Sequence, residues 1–249
     1  MRSAPDMTNQ RLVYFDCASG ASGEMLLGAL VSAGLLEADL RDVVAPLQRA
    51  GASFELRLSE VSKGPVQAIE LRITDQVPDV EARLGDMLGL IRSAPLSPGV
   101  THDASAILTR LAAEEARLAG ERTADFVFNG TSGIDCVVAA VGTAGALAQL
   151  GVRSVLSSPV NLGDPTPTVG ALLAAAPTYE DASGVALVTP IGAAILAELV
   201  VEWPASPPFA GGEVGNGAGT RDLPRPNVMR CFLGYGTIAA PIHHTDPHE

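Results

Sequence analysis

The chain opens its apolar pattern with RLVYFD at 11–16, then runs through the small residues CASGASG into EMLLGALVSAGLL, whose apolar positions return at helical spacing. Strand, loop and helix are predicted as the opening unit. A second helix is predicted over 37–50, with Gly51 as its stop signal. FELRLSEV and VQAIELRIT alternate polar and apolar positions on either side of Ser62, Lys63, Gly64 and Pro65, which is the pattern of a β-hairpin. The segments 80–92 and 101–119 show helical spacing and are divided by the breaker SAPLSPG. FVF at 126–128 reads as a short strand and NGTSG as the turn after it.

The segment 134–150 is apolar nearly all round, as in a central helix packed on several sides. Beyond it the pattern predicts a strand over 153–160, a Pro-broken loop over 161–168, a short helix over 169–176 and a strand over 185–188. Pro190 then stands in the first turn of a helix over 191–200. WPASPPF reads as a spacer, and GGEVGNGAGTRDLPRPN as a long Gly-rich loop before the strand VMRCFLGYG. The segments 1–10 and 241–249 read as flexible ends. Strands and helices mixed at this density predict an α/β or α+β fold, one domain over 11–240 whose mixed sheet is covered by helices.

Composition narrows the function classes. A chain of 249 residues with 47% apolar content excludes a disordered tail or a disulfide miniprotein, and only 4% aromatics leave the core to aliphatic packing. Sixteen Lys+Arg against 28 Asp+Glu give a formal charge of −12 with no run of three basic residues, which argues against nucleic acid as a partner. The longest uncharged stretch, 136–152, is shorter than the roughly 20 residues a spanning helix needs, so no membrane role is expected. Cys17, Cys136 and Cys231 lie far apart with no CxxC pair, which fits a reducing compartment better than a disulfide framework or a zinc ribbon.

Two segments invite chemistry. Ser19, Gly20, Ser22 and Gly23 lie between a strand and a helix, where consecutive backbone N–H groups can bind an anion. Asp16 and Glu24 flank them and could hold a metal or serve the helix dipole; a tight turn capped by Ser22 is the plainer reading. No GKS or GKT follows, so this is not a P-loop. Gly215, Gly217 and Gly219, with Asn216 and Thr220, form a second candidate cradle. Arg221 and Asp222 follow directly, either as a phosphate or carboxylate clamp or as a mutual pair. Two prolines then lead to a strand rather than a helix, so the dinucleotide fingerprint fails.

Asp135 follows Thr131, Ser132 and Gly133 at the head of the apolar helix, where those polar residues could cap it or Asp135 could serve as a buried acid. Thr189 before Pro190 also looks like a cap. Of the four histidines, His243, His244 and His248 fall in the last seven residues and only His102 lies inside the fold. No His pair has ligand spacing, and Cys17 and Cys136 read as buried small hydrophobes before they read as thiolate ligands.

Three stretches, FDCASGASGEMLLGAL at 15–30, LVTPIGAAILAEL at 187–199 and GAGTRDLPRPNVMRCFLG at 217–234, resemble the LarC family of nickel insertion proteins, in the same order and over nearly the whole chain. The family matures the nickel-pincer cofactor of lactate racemase. The resemblance implies a cytoplasmic α/β nickel chelatase of lyase type. It would insert nickel between the sulfur atoms of a thiolated pyridinium mononucleotide in a reaction that uses CTP.

Carried over residue by residue, the resemblance points to Asp16 and Asp135 as catalytic. Ser19, Gly20, Ser22, Gly23, Glu24, Thr189, Gly217, Gly219, Arg221, Asp222 and Asn227 would contact a small anionic nucleotide-like ligand. The metal ligands stay unassigned: where the family carries histidines, this chain has EARLGDM at 81–87, Asn129-Gly130 after Phe128, and Val169-Gly170. A weak nickel site is expected.

Family members continue into a second domain to which nucleotide binding is attributed. CTP would therefore reach this chain through a separate second domain or a partner chain, and an oligomer is compatible with the sequence. The rival reading is a non-catalytic ligand-binding or scaffold subunit that keeps the fold without the metal chemistry.

Overall fold

The computed structural model describes residues 9–76, 82–128, 133–182 and 184–238. Residues 1–8 and 241–249 of the expected ends, the tail histidines His243, His244 and His248 among them, lie outside the described residues, as do the NGTS turn and its candidate caps Thr131 and Ser132. Gln10, expected in the flexible N-terminus, is instead the first residue of a strand.

The opening unit forms as expected, with β1 at Gln10–Asp16 and α1 at Gly23–Ser32. Next come α2 (Glu37–Arg49) and the hairpin of β2 (Phe54–Lys63) and β3 (Val66–Asp75). Lys63 pairs with Val66, so Gly64 and Pro65 alone make the turn. Gly64 takes φ +61°, the sign that tight hairpin turns demand and that glycine supplies without strain.

The helix expected from residue 80 starts later. Ala82–Arg83 forms β4, paired with β5 (Val127–Phe128), and α3 spans Leu84–Ser93. Helix α4 spans Pro98–Ala119, capped by Ser97, whose hydroxyl accepts from the Val100 amide at 3.4 Å. Part of the expected breaker is thus the helix's first turn, because proline is tolerated there. Helix α5 (Gly133–Gln149) is buried along most of its length, as its all-round apolarity predicts.

The strand expected over 153–160 divides into β6 (Ser154–Ser157) and β7 (Val160–Asn161), which belong to different sheets. Pro159 separates them and has no N–H to continue a ladder. Helix α6 spans Pro167–Leu172, and β8 (Thr178–Tyr179) pairs with β7. The strand expected over 185–188 is two isolated bridges, Gly163 to Ala186 and Ala21 to Val188. Helix α7 (Pro190–Leu199) runs directly into an edge strand, β9 (Val200–Glu202).

The largest correction concerns the Gly-rich loop. Glu213–Ala218 is a strand, β10, paired along its length with β11 (Val228–Gly236). Its glycines mask a strand signal because they are there to let α1 approach.

The main sheet has seven strands in the order β2-β3-β10-β11-β1-β6-β9. Strand β1 sits inside it, antiparallel to β11 and parallel to β6. Helix α1 packs on β3, β10 and β11, α7 on β6 and β9, and α5 against α1, α2, α4 and α7. Both faces of β1 are buried. Val13 and Phe15 join the main core under the helices, while Leu12 and Tyr14 form a small cluster with Leu156, Phe209 and Phe232 on the other side. This is why β1 reads as a continuous apolar run rather than an alternation. The result is one α/β domain with a mixed sheet. Among the described residues, no helix is long and apolar enough to cross a membrane.

Candidate functional site

The site is built around the C-terminal end of β1, where the chain turns into α1. Asp16 closes the strand directly opposite Arg230 of β11. The Asp16 Oδ2 atom accepts from Arg230 Nε at 3.1 Å and Nη2 at 2.5 Å, and its Oδ1 accepts from the Ala18 amide at 3.2 Å. The Arg230 guanidinium also lies 5.5 Å from the Phe232 ring centre. Both carboxylate oxygens are therefore engaged, and Asp16 fixes the first turn of the loop that follows it.

The backbone amides of that loop are mostly spent on protein acceptors. The Cys17 amide donates to Ser158 Oγ at 2.9 Å, the Ala18 amide to Asp16, the Gly20 amide to the Cys17 carbonyl at 3.0 Å and the Ala21 amide to the Leu187 carbonyl at 3.2 Å. The expectation of a run of free N–H groups starting at residue 18 is corrected accordingly. The first turn of α1 adds the donors that a helix leaves over. Gly20 has φ +85°, and a β-carbon there would overlap the Leu187 carbonyl, so glycine is required.

Ser22 is the N-cap of α1, its hydroxyl accepting from the Met25 amide at 3.1 Å. Glu24 occupies the first helical turn, where a carboxylate suits the dipole. Thr189 caps α7 in the same manner, accepting from the Gly192 amide at 3.1 Å. The two helix starts are held together by the Thr189 amide donating to the Ala21 carbonyl at 2.9 Å.

Three further segments close around this loop. Asn161, fully buried, donates to the Ala18 carbonyl at 3.0 Å and to Asp181 Oδ2 at 2.9 Å, while its own carbonyl accepts from the Gly163 amide at 3.2 Å. Asp181 pairs in turn with Arg225 at 2.5 Å. Ser19 donates to the Pro226 carbonyl at 3.2 Å. Sequence reasoning missed Asn161, Asp181, Arg225 and Arg230. No local pattern marks them, since each acquires its role from a partner 20 to 214 residues away.

The second candidate segment divides. Gly217 faces α1 so closely that a β-carbon would overlap the Met25 carbonyl oxygen, which accounts for this glycine by packing. The Gly219 amide donates to the Asn227 carbonyl at 2.8 Å, and Asn227 Nδ2 donates to the Arg221 carbonyl at 3.0 Å. The loop between β10 and β11 is thus ordered by its own side chain, Asn227. Asp222 pairs not with Arg221 but with Lys63 of β2, at 3.5 Å. Arg221 is exposed.

Asp135 lies in the first turn of α5. Burial pushes the neighbouring Cys136 thiol up to about 12, helped by the charges of Asp135, Glu115 and Glu24, so acids from α5, α4 and α1 converge on this point. Burial also raises the Glu115 carboxyl. Cys17 is pushed up to about 12 by burial, opposed by its hydrogen bond with Ser157 and aided by Asp16, and Cys231 is raised by burial alone. All three cysteines are buried and protonated near neutrality, hence poor metal ligands. Among the described residues, no group of three or more His, Cys, Asp or Glu is placed to hold a metal ion.

The family model described as nickel insertion protein matches residues 13–248, and the chain belongs to that family. It is 31% identical over 237 residues to a putative nickel insertion protein of Geobacter sulfurreducens and 35% identical over 240 residues to one of Pelobacter propionicus. In both cases 90% of this chain and 61% of the relative are covered. It is 32% identical to the pyridinium-3,5-bisthiocarboxylic acid mononucleotide nickel insertion protein of Desulfitobacterium hafniense, over 90% of this chain and 58% of that protein. The chain spans about three fifths of the length of these relatives. No solved structure matches.

Proposed function

We propose that this chain is the mononucleotide-handling part of a nickel insertion protein, acting on a pyridinium-3,5-bisthiocarboxylic acid mononucleotide with nickel as the metal substrate. The observation that carries this reading is the family match over residues 13–248, with a relative of that name at 32% identity.

The site's chemistry supports it. Nickel favours soft sulfur and imidazole donors, and the sulfur atoms of such a substrate can supply them. The chain's own task is then to hold and orient the mononucleotide. Ser19, Gly20, Ser22, Gly23, Glu24 and Thr189 shape the paired helix starts, while Gly217, Gly219, Arg221, Asp222 and Asn227 shape the facing loop. Asp16 keeps the loop in place through Arg230. Asp135, whose charge acts on the Cys136 thiol as that of Glu24 does, is the carboxylate proposed to draw the hydrated cation toward the ligand.

A CTP requirement, a cytoplasmic setting and a partner region supplying a second domain belong to the same proposal, as do flexible ends outside a domain at 11–240. The test is thermal shift and metal content of the purified chain with nickel, CTP and the thiolated mononucleotide, alone and combined. The mononucleotide alone should raise Tm, since a ligand that binds the folded state stabilises it. Nickel should be retained only in its presence. An unmoved Tm, or equal nickel retention without the mononucleotide, overturns the reading.

A further inference from the structure

A cavity of about 300 Å3 opens between the β2–β3 turn and the loop linking β10 to β11. Ser62, Lys63 and Gly64 form one wall, and the segment from Arg221 to Asn227 forms the other. In a chain of net charge −12, this cavity is lined by three cations, Lys63, Arg221 and Arg225, against one carboxylate, Asp222.

Arg225 is already matched by Asp181 at 2.5 Å. Lys63 is not matched as well. Its side chain is only 15% exposed, whereas its partner Asp222 is 99% exposed and stands off at 3.5 Å. An ammonium withdrawn from water needs a close counter-charge, and a fully solvated carboxylate is a weak one. Arg221 on the opposite wall adds a planar fork suited to two oxygens of one tetrahedral anion.

The walls are set before any ligand arrives. Asn227 fastens the Arg221 carbonyl, Ser19 fastens the Pro226 carbonyl, and Pro224 and Pro226 stiffen the segment between. Through Ser19 the cavity is tied to the loop between β1 and α1.

We infer that this cavity takes the phosphate monoester of a mononucleotide, with Lys63 and Arg221 as binding cations and Asp222 as the carboxylate the phosphate displaces from Lys63. The choice of a mononucleotide rests on the proposed function, whereas the oxyanion chemistry rests on the cavity itself. Arg221 and a Lys63 released from Asp222 match a dianion, and the volume lies at the small end for ligand pockets, which favours a monoester over a triphosphate.

The test is calorimetry on the full chain at low salt with nicotinic acid mononucleotide, its riboside lacking the phosphate, inorganic phosphate, pyrophosphate and CTP. The mononucleotide should bind at least about tenfold more tightly than the riboside, and phosphate should compete with it. Lys63→Gln and Arg221→Gln should each weaken the mononucleotide by about tenfold and leave the riboside unchanged. Asp222→Asn should strengthen it, an opposite sign that loss of a merely structural ion pair would not give.

Mononucleotide binding indifferent to Lys63, in variants whose Tm matches the parent, overturns the pocket and leaves the proposed function standing. Binding of phosphate or CTP that depends on Lys63, without mononucleotide affinity, keeps the oxyanion chemistry and overturns the mononucleotide reading. Absence of binding by any of these anions overturns the inference outright.

Discussion

Gly217, next to the end of β10, lies against the Met25 carbonyl of α1 with no room for a β-carbon between them. Helix α1 can therefore settle onto β10 at backbone distance, which sets where its N-terminus meets the end of β1. Gly217→Ala should cost at least about 2 kcal/mol, because neither backbone can yield without moving a packed element. Urea unfolding would show it, and a loss below about 0.5 kcal/mol would mean the helix has slack.

Asn161 is the hub of the loop after β1. Asn161→Ala leaves the Ala18 carbonyl, the Gly163 amide and Asp181 each one partner short. A loss of roughly 2–3 kcal/mol is expected from buried groups left unpaired. Asn161→Asp, which restores an acceptor but no donor and sets a second carboxylate near Asp181, should be no better. Chemical denaturation of the two variants checks both statements.

The Asp16–Arg230 pair should behave as a clamp rather than as a free acid. Arg230→Ala is expected to destabilise by roughly 1–2 kcal/mol, since the carboxylate keeps its Ala18 contact and partial access to water. Asp16→Asn and the double variant complete a cycle whose coupling should exceed about 0.5 kcal/mol. A coupling near zero would show that the pair does not hold the loop.

Ser22→Asp separates capping from binding. Aspartate caps a helix about as well as serine, so Tm should hold while a charge appears at the mouth of the site. Mononucleotide affinity should fall. Unchanged affinity would place the mononucleotide away from the start of α1.

The three thiols should be unreactive in the folded chain. A disulfide reagent at pH 8 should titrate none natively and three after unfolding. The same burial makes stability fall in alkali. Cys17 and Cys136 ionise near 9 when unfolded and only near 12 when folded, so their protonated form is worth most below pH 9. Stability should therefore decline as pH rises from about 9 toward 12. Tyr14, pushed up to about 12 by burial and by Asp16 and Cys17, adds to the decline from about pH 10 upward. A Tm flat up to pH 11 would contradict it.

Much of the fold was legible because the hydrophobic pattern is local. The β1 and α1 unit, the β2–β3 hairpin, α2, α4, α5 and α7 each carry their own period and their own stop or cap, as Gly51, Gly64 and Ser97 do. The failures share a cause. Strand β10 was hidden because its glycines answer to a helix nearly 190 residues earlier in the chain, and β6 was overextended because the separation of Ser157 from Val160 depends on which sheet each strand joins.

The site divides along the same line. The sequence by itself determined the small-residue turn after β1, the capping roles of Ser22 and Thr189, and the family motifs at 15–30, 187–199 and 217–234. Only the tertiary structure decided that Asp16 is held by Arg230, that Asn161 and Asp181 brace the loop, and that Lys63 meets Asp222 across a cavity. A cap or a turn is closed by residues three or four positions apart, so its chemistry is written in order along the chain. An ion pair between strands is closed by register and sheet order, which no stretch of sequence contains.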